Sequence, residues 1–213
     1  MRTVLVTLSG THGTGKSTHA GRCYYLLNKS GYKFAYVRHQ DLLDPFGFVL
    51  RRAARVLGFR KASDLERRKP VRALWAAYIL FIYYPLLVGG IRLRRILGYS
   101  VVTDRYLYDM LVGFWGNRMS APMERLLIRI ITRPDVSFVL DADENRILRE
   151  RPEHTAEYIR REQFLYREVA ERFALKRVYT GDSASLIWQS LLREIRKALG
   201  EQERTYGTMG ENS

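Results

Sequence analysis

The sequence predicts an α/β fold of the doubly wound kind, with a central, mostly parallel sheet of about five strands covered by helices. Three observations predict it. Short apolar runs alternate with longer stretches of helical spacing, so strands and helices follow one another along the chain. A glycine-rich turn stands between the first apolar run and the first helical stretch. The 213 residues are 46% hydrophobic, an ordinary globular proportion and enough for one sizeable core. One domain is expected over residues 1–199, with 200–213 as a frayed tail.

The first strand is Val4 to Leu8, followed at once by glycines. Lys16 to Lys29 then reads as a helix, with Ala20, Tyr24 and Leu27 at helical spacing. Gly31 ends that helix, Phe34 to Val37 can form a second strand, and a further helix is expected from about Phe48 to Leu57. Ser100 to Thr103 makes a third strand behind Gly98, and Val136 to Leu140 a fourth behind Pro134. The last strand candidate, Arg177 to Tyr179, is closed by Thr180-Gly181-Asp182-Ser183. Leu186 to Leu199 follows as an amphipathic helix that Ser183 could cap. In such a sheet, ligands bind at the carboxyl ends of the strands.

Ala73 to Ile91 holds no charged residue, and its length alone would suit a membrane span. Topology argues against a crossing, because the first strands precede this stretch and the third and fourth follow it. A single crossing would divide one sheet between two sides of a bilayer. Pro85 and Gly89-Gly90 suggest instead two buried helical segments meeting at a kink. Membrane contact is the less favoured reading, and a homodimer interface is compatible with either.

Cys23 is the sole cysteine, which excludes an intrachain disulfide framework and a four-cysteine zinc site. Met1 to Val6 run straight into the glycine-rich turn, without the apolar segment of a signal peptide, so a cytoplasmic location is expected. Lys and Arg number 36 against 22 Asp and Glu, a net charge of +14 that favours anionic partners. No basic patch is interleaved with aromatics in a recognisable nucleic-acid module, so nucleic acid is not expected as a partner.

Gly10-Thr11-His12-Gly13-Thr14-Gly15-Lys16-Ser17 satisfies the full phosphate-binding loop pattern between a strand and a helix. Glycines at 10, 13 and 15 let backbone N–H groups converge on phosphate oxygens. Lys16 would bridge the outer phosphates of ATP, the Ser17 hydroxyl would ligate Mg²⁺, and Thr18 could add a phosphate contact. A GTP switch would need Asn-Lys-x-Asp, and Asn28-Lys29-Ser30-Gly31 fails at its last position. The paired acids of an ATPase motor are also missing, since Asp141 is followed by Ala142.

Val101-Val102-Thr103-Asp104-Arg105-Tyr106 resembles the thymidylate kinase family, whose third strand ends in Asp-Arg-Tyr or Asp-Arg-His. Arg133-Pro134-Asp135 through Leu140-Asp141 is similar to the family's fourth strand. The arginine-rich segment Arg146 to Arg161 resembles its mobile lid, about 142–156, and the helix behind it. The resemblance implies that Asp104 holds a Mg²⁺-bound water or assists the acceptor, and that Arg105 clamps an acceptor phosphate. It implies too that Arg149 and Arg151 stabilise the transferring group from the lid. Arg160 and Arg161 suit a solvated helix face equally well.

On the acceptor side the sequence departs from that family. The acids usual at the positions of Ser9 and His12 are missing. The Phe-Ala-Ala-x-Arg that reads thymine looks like Trp75-Ala76-Ala77-Tyr78-Ile79, and a base-reading Gln falls near Phe114. Arg38 and Arg105 still imply a phosphorylated acceptor, and Trp75 and Phe114 a flat or apolar part. An ATP- and Mg²⁺-dependent kinase is expected, with dTMP as the acceptor the resemblance implies. The alternatives are a kinase acting on another phosphorylated metabolite, whether nucleotide, sugar or lipid-linked, and a regulatory protein that binds ATP without transferring phosphate.

Overall fold

The computed structural model describes residues 2–38, 52, 55, 69–116, 121–181 and 184–200. The helix expected over Phe48 to Leu57 lies outside these apart from Arg52 and Arg55, both helical, and Ser183 and the tail after 200 lie outside them too. Among the described residues, five strands form one sheet: β1 (Leu5–Gly10), β2 (Phe34–Val37), β3 (Ser100–Thr103), β4 (Val136–Asp141) and β5 (Lys176–Tyr179). Their order is β2-β3-β1-β4-β5 and every pairing is parallel. Thr7 sits opposite Thr103 on one side of β1 and Gly10 opposite Leu140 on the other. The chain therefore turns from β1 toward β2 on one side and later crosses to β4 and β5. That reversal opens a crevice at the carboxyl ends of the central strands.

Among the described residues the helices with defined bounds are α1 (Lys16–Lys29), α2 (Lys69–Tyr78), α3 (Tyr84–Ile96), α4 (Leu107–Gly116), α5 (Ala121–Ile130), α6 (Glu144–Glu150), α7 (Ala156–Arg172) and α8 (Ala184–Leu199). Alternation along the strands feeds two separate cores. Val4, Val6 and Leu8 join Ala20, Cys23 and Leu27 of α1 and Ile187, Leu191 and Ile195 of α8. Leu5, Val101 and Val139 face the other way, onto Leu87 and Ile91 of α3, Leu111 of α4, and Tyr166 and Val169 of α7. The near-continuous apolar strands are what burial on both faces demands, each fully buried Leu or Val contributing about 1.5–3 kcal/mol.

The charge-free stretch forms two helical segments as expected, but it is not buried all round. The backbone stays helical from Lys69 to Ile96, and Ile79–Tyr83 form a π-helical turn immediately before α3, whose second residue is Pro85. Proline brings no N–H and crowds the carbonyl four residues back, and a locally widened turn accommodates both. Only one face is buried: Ile79, Leu80, Tyr83, Leu87, Val88 and Ile91 point into the core. Among the described residues no helix is long and apolar enough to cross a membrane.

Candidate functional site

The turn from β1 into α1 is built around backbone that side chains would obstruct. Gly10 has φ 141° and lies against β4, where a Cβ would collide with the Leu140 carbonyl oxygen. Gly13 has φ 78°, in the left-handed region, and its open side faces the aliphatic part of Arg151. The Thr14 hydroxyl donates to Thr11 O at 2.8 Å and steadies the curve. Lys16 turns back over the loop, its Nζ donating to Gly10 O at 2.5 Å and Thr11 O at 2.7 Å. Burial pulls the Lys16 ammonium down to about 8, with Arg105 acting the same way, while Asp109, Glu162 and Asp104 pull it up. A cation so placed is a strong local field for an anion, because little water screens it.

The second motif meets the first here. Asp104 follows β3, and its Oδ2 accepts from Ser17 Oγ at 2.6 Å and from the Tyr36 hydroxyl at 3.0 Å. Burial first, then the Asp104 carboxylate, push the Tyr36 hydroxyl up and keep it a donor. The Arg38 guanidinium lies 5.2 Å from the centre of the Tyr36 ring, so this expected residue stands at the same end of the sheet. A hydroxyl and a carboxylate oxygen side by side are hard donors, and they suit a cation such as Mg²⁺ that takes one or two protein oxygens. Thr18 is exposed at the first turn of α1.

Two carboxylates that the sequence did not point to complete the site. Asp109, in the first turn of α4, accepts from Ser9 Oγ at 2.6 Å, from Tyr106 N at 3.0 Å and from the Tyr166 hydroxyl at 2.8 Å. Glu162, on α7, is 2.9 Å from His12 Nδ1 and accepts from His12 N at 3.2 Å. Both loop positions that lack an acid, Ser9 and His12, therefore hold one brought from another element. An Arg105 guanidinium nitrogen lies 3.4 Å from His12 Nε2, so the imidazole stands between Glu162 and Arg105. Burial raises the Glu162 carboxyl, but the His12 hydrogen bonds and charge, with Lys16, outweigh it and leave it lowered.

The signal that could have found Asp109 is an acid three residues into a helix that starts at Leu107, where its carboxylate bonds the N–H of the residue before the helix. The signal for Glu162 is an acid on the apolar stripe Ile159, Tyr166 and Val169 of an amphipathic helix.

The arginine-rich segment divides into α6 and α7 around Pro152, with Asp143 capping the first helix and Thr155 the second. Arg151, the C-cap of α6, packs its side chain over Gly13 and lies 3.7 Å from Glu153. Arg149 is exposed on the last turn of α6. Arg146 turns away to the Thr180 carbonyl after β5, and Arg160 pairs with Glu144 at 3.6 Å. Arg161 is exposed on α7.

Trp75 and Phe114 have backbones in α2 and α4, and their side chains lie outside the described part of the structure. Ile79, where an arginine would have read a base, is packed in the core with Tyr83 and Leu111. No family model matches this sequence, and comparison with curated proteins finds no match.

Proposed function

We propose that this chain is an ATP- and Mg²⁺-dependent phosphotransferase that moves the γ-phosphoryl group to a small phosphorylated acceptor, dTMP being the acceptor the family resemblance implies. The observation that carries the reading is the 2.6 Å hydrogen bond between Ser17 and Asp104. Two motifs far apart in sequence, each nominated for the metal on its own grounds, thereby meet beside Lys16.

Bound at Ser17 and Asp104, Mg²⁺ would neutralise charge on the phosphate oxygens. The chain's own groups do the rest. Loop N–H groups and the head of α1 bind the phosphates, and Lys16 balances their charge. Arg105 orients the acceptor phosphate, and Arg151 meets the charge that spreads over the equatorial oxygens during transfer. Glu162 and Asp109 fix His12 and Ser9, so the loop holds its shape without reorganising at the reacting moment.

A second reading keeps the chemistry and changes the acceptor to another phosphorylated metabolite. The burial of Ile79 favours it, because a core isoleucine offers a base no hydrogen bond and so cannot select thymine by polar contacts. Coupled ATP-consumption assays over nucleoside monophosphates, phosphorylated sugars and phosphorylated lipids test both readings. Preferred turnover of dTMP supports the first and preferred turnover of another monophosphate the second. Failure of every acceptor, with ATP still bound, would leave a binding protein.

A further inference from the structure

The outer face of the helix running from α2 through α3 is apolar and uncovered among the described residues. Phe81, Ile82, Leu86, Leu93 and Ile96 are between 50% and 81% exposed. Ile82, Pro85, Leu86, Gly89, Leu93 and Ile96 recur at helical spacing and form one continuous stripe. Leu97 and Tyr99, also exposed, extend it toward the amino ends of the strands. Isolated exposed apolar residues are ordinary, but a contiguous stripe of this length marks a contact surface.

The charges around the stripe decide what contacts it. Between Glu66 and Asp104 the sequence contains no acidic residue, while Arg67, Arg68, Lys69 and Arg72 precede the apolar stretch and Arg92, Arg94 and Arg95 follow it. Arg92 is exposed beside Leu93, and Arg94 is half-buried with a guanidinium N–H on the Gly90 carbonyl at 3.0 Å. Arg95 is the exception, 3.4 Å from Asp135. A second copy packed antiparallel on the stripe would set the basic start of α2 against the basic end of α3, with no acid of either stripe to neutralise them. An anionic lipid surface supplies both missing partners: acyl chains for the stripe and negative headgroups for the basic residues that flank it in sequence.

We propose that this helix face docks on anionic lipid, with the helix lying in the plane of the interface. No spanning segment is required. The inward face of the same helix carries Tyr83, whose hydroxyl burial pushes up and whose electrostatic neighbours include Asp109, Arg105 and Asp104. Docking therefore places the candidate site about one helix diameter, ~10 Å, from the headgroups.

The test is co-sedimentation of the full chain with vesicles of phosphatidylcholine alone and of phosphatidylcholine with phosphatidylglycerol. Light scattering of the free protein runs alongside. Because a chain of net charge +14 adsorbs to anionic vesicles in any case, the informative variant keeps the charge: Leu86→Gln with Ile96→Gln. Both positions are exposed, and an unchanged melting curve verifies the fold. The proposal predicts anionic-vesicle binding that the double variant weakens at least tenfold and that Arg92→Gln weakens less. Binding equal in wild type and double variant would mean adsorption by net charge alone and would overturn the proposal. So would absence of binding, or a dimer that the double variant dissociates, which would assign the face to a second copy.

Discussion

Glu162 accepts two hydrogen bonds from one residue of the β1–α1 loop, His12, through the imidazole at 2.9 Å and the backbone N–H at 3.2 Å. The pair joins α7 to the loop across most of the chain's length. Glu162→Ala strands a backbone donor in a partly buried place, so a loss of about 1–3 kcal/mol is expected. Glu162→Gln, which keeps one acceptor oxygen, should lose less. The pH dependence follows from the lowered carboxyl. A depressed acid contributes stability above its ordinary value of 4.5 and loses it as pH falls through the folded value. Wild type should thus exceed Glu162→Gln in stability at neutral pH, with the gap closing in acid. Denaturant melts at pH 7 and at low pH check this, and a gap that widens in acid would contradict it.

Gly10→Ala should destabilise the fold whatever the protein's chemistry. The new methyl group would meet the Leu140 carbonyl oxygen, and φ 141° is strained for alanine. The two effects together cost about 2 kcal/mol or more, and the melting temperature should drop by roughly 4–8 °C. A thermal melt within a degree of wild type would show that β1 and β4 are not so closely apposed there.

Arg151 and Arg149 stood equal in the sequence, and the structure separates them. Arg151 covers Gly13, while Arg149 is exposed on the last turn of α6. If Arg151 meets charge that develops during transfer, Arg151→Ala should lower kcat by about 10²–10³-fold with a small change in KM for ATP. Arg149→Ala should cost much less. Steady-state kinetics on both variants decide, and equal losses would return the two residues to equal standing.

The sheet was legible because burial on both faces imposes nearly unbroken apolar runs. The loop was legible because close backbone approach imposes glycine at fixed spacing. Ser17 and Asp104 could be nominated separately, yet nothing local to either stated that they would meet at 2.6 Å. Asp109 and Glu162 were hidden for the opposite reason. Each reads as an ordinary helix acid until the tertiary fold sets it against Ser9 or His12. The π-helical turn before Pro85 was likewise beyond a periodicity argument, since a proline predicts relief of a clash without specifying its form.

The buried ammonium of Lys16 gives a prediction within reach of ordinary buffers. Burial first, with Arg105 adding to it, brings the group to about 8 against the pull of Asp109, Glu162 and Asp104. Lysine is cationic below its pKa, so its attraction for phosphate is full below that value and lost above it. The kcat/KM for ATP, which reports the free protein, should therefore decline as pH rises through about 8 rather than near the ordinary lysine range. A profile flat to about pH 10 would place the charge elsewhere.

The central claim is phosphoryl transfer at the loop, and the most direct measurement is Mg²⁺-dependent ATP turnover by wild type and Lys16→Ala with the best acceptor found. Among the described residues Lys16 hydrogen-bonds to the loop carbonyls of Gly10 and Thr11, so its loss should leave the fold intact. Turnover should fall by about 10²–10³-fold or more, because the charge it balances develops on the phosphates alone. Undiminished turnover by folded Lys16→Ala would contradict the assignment of this loop as the seat of catalysis.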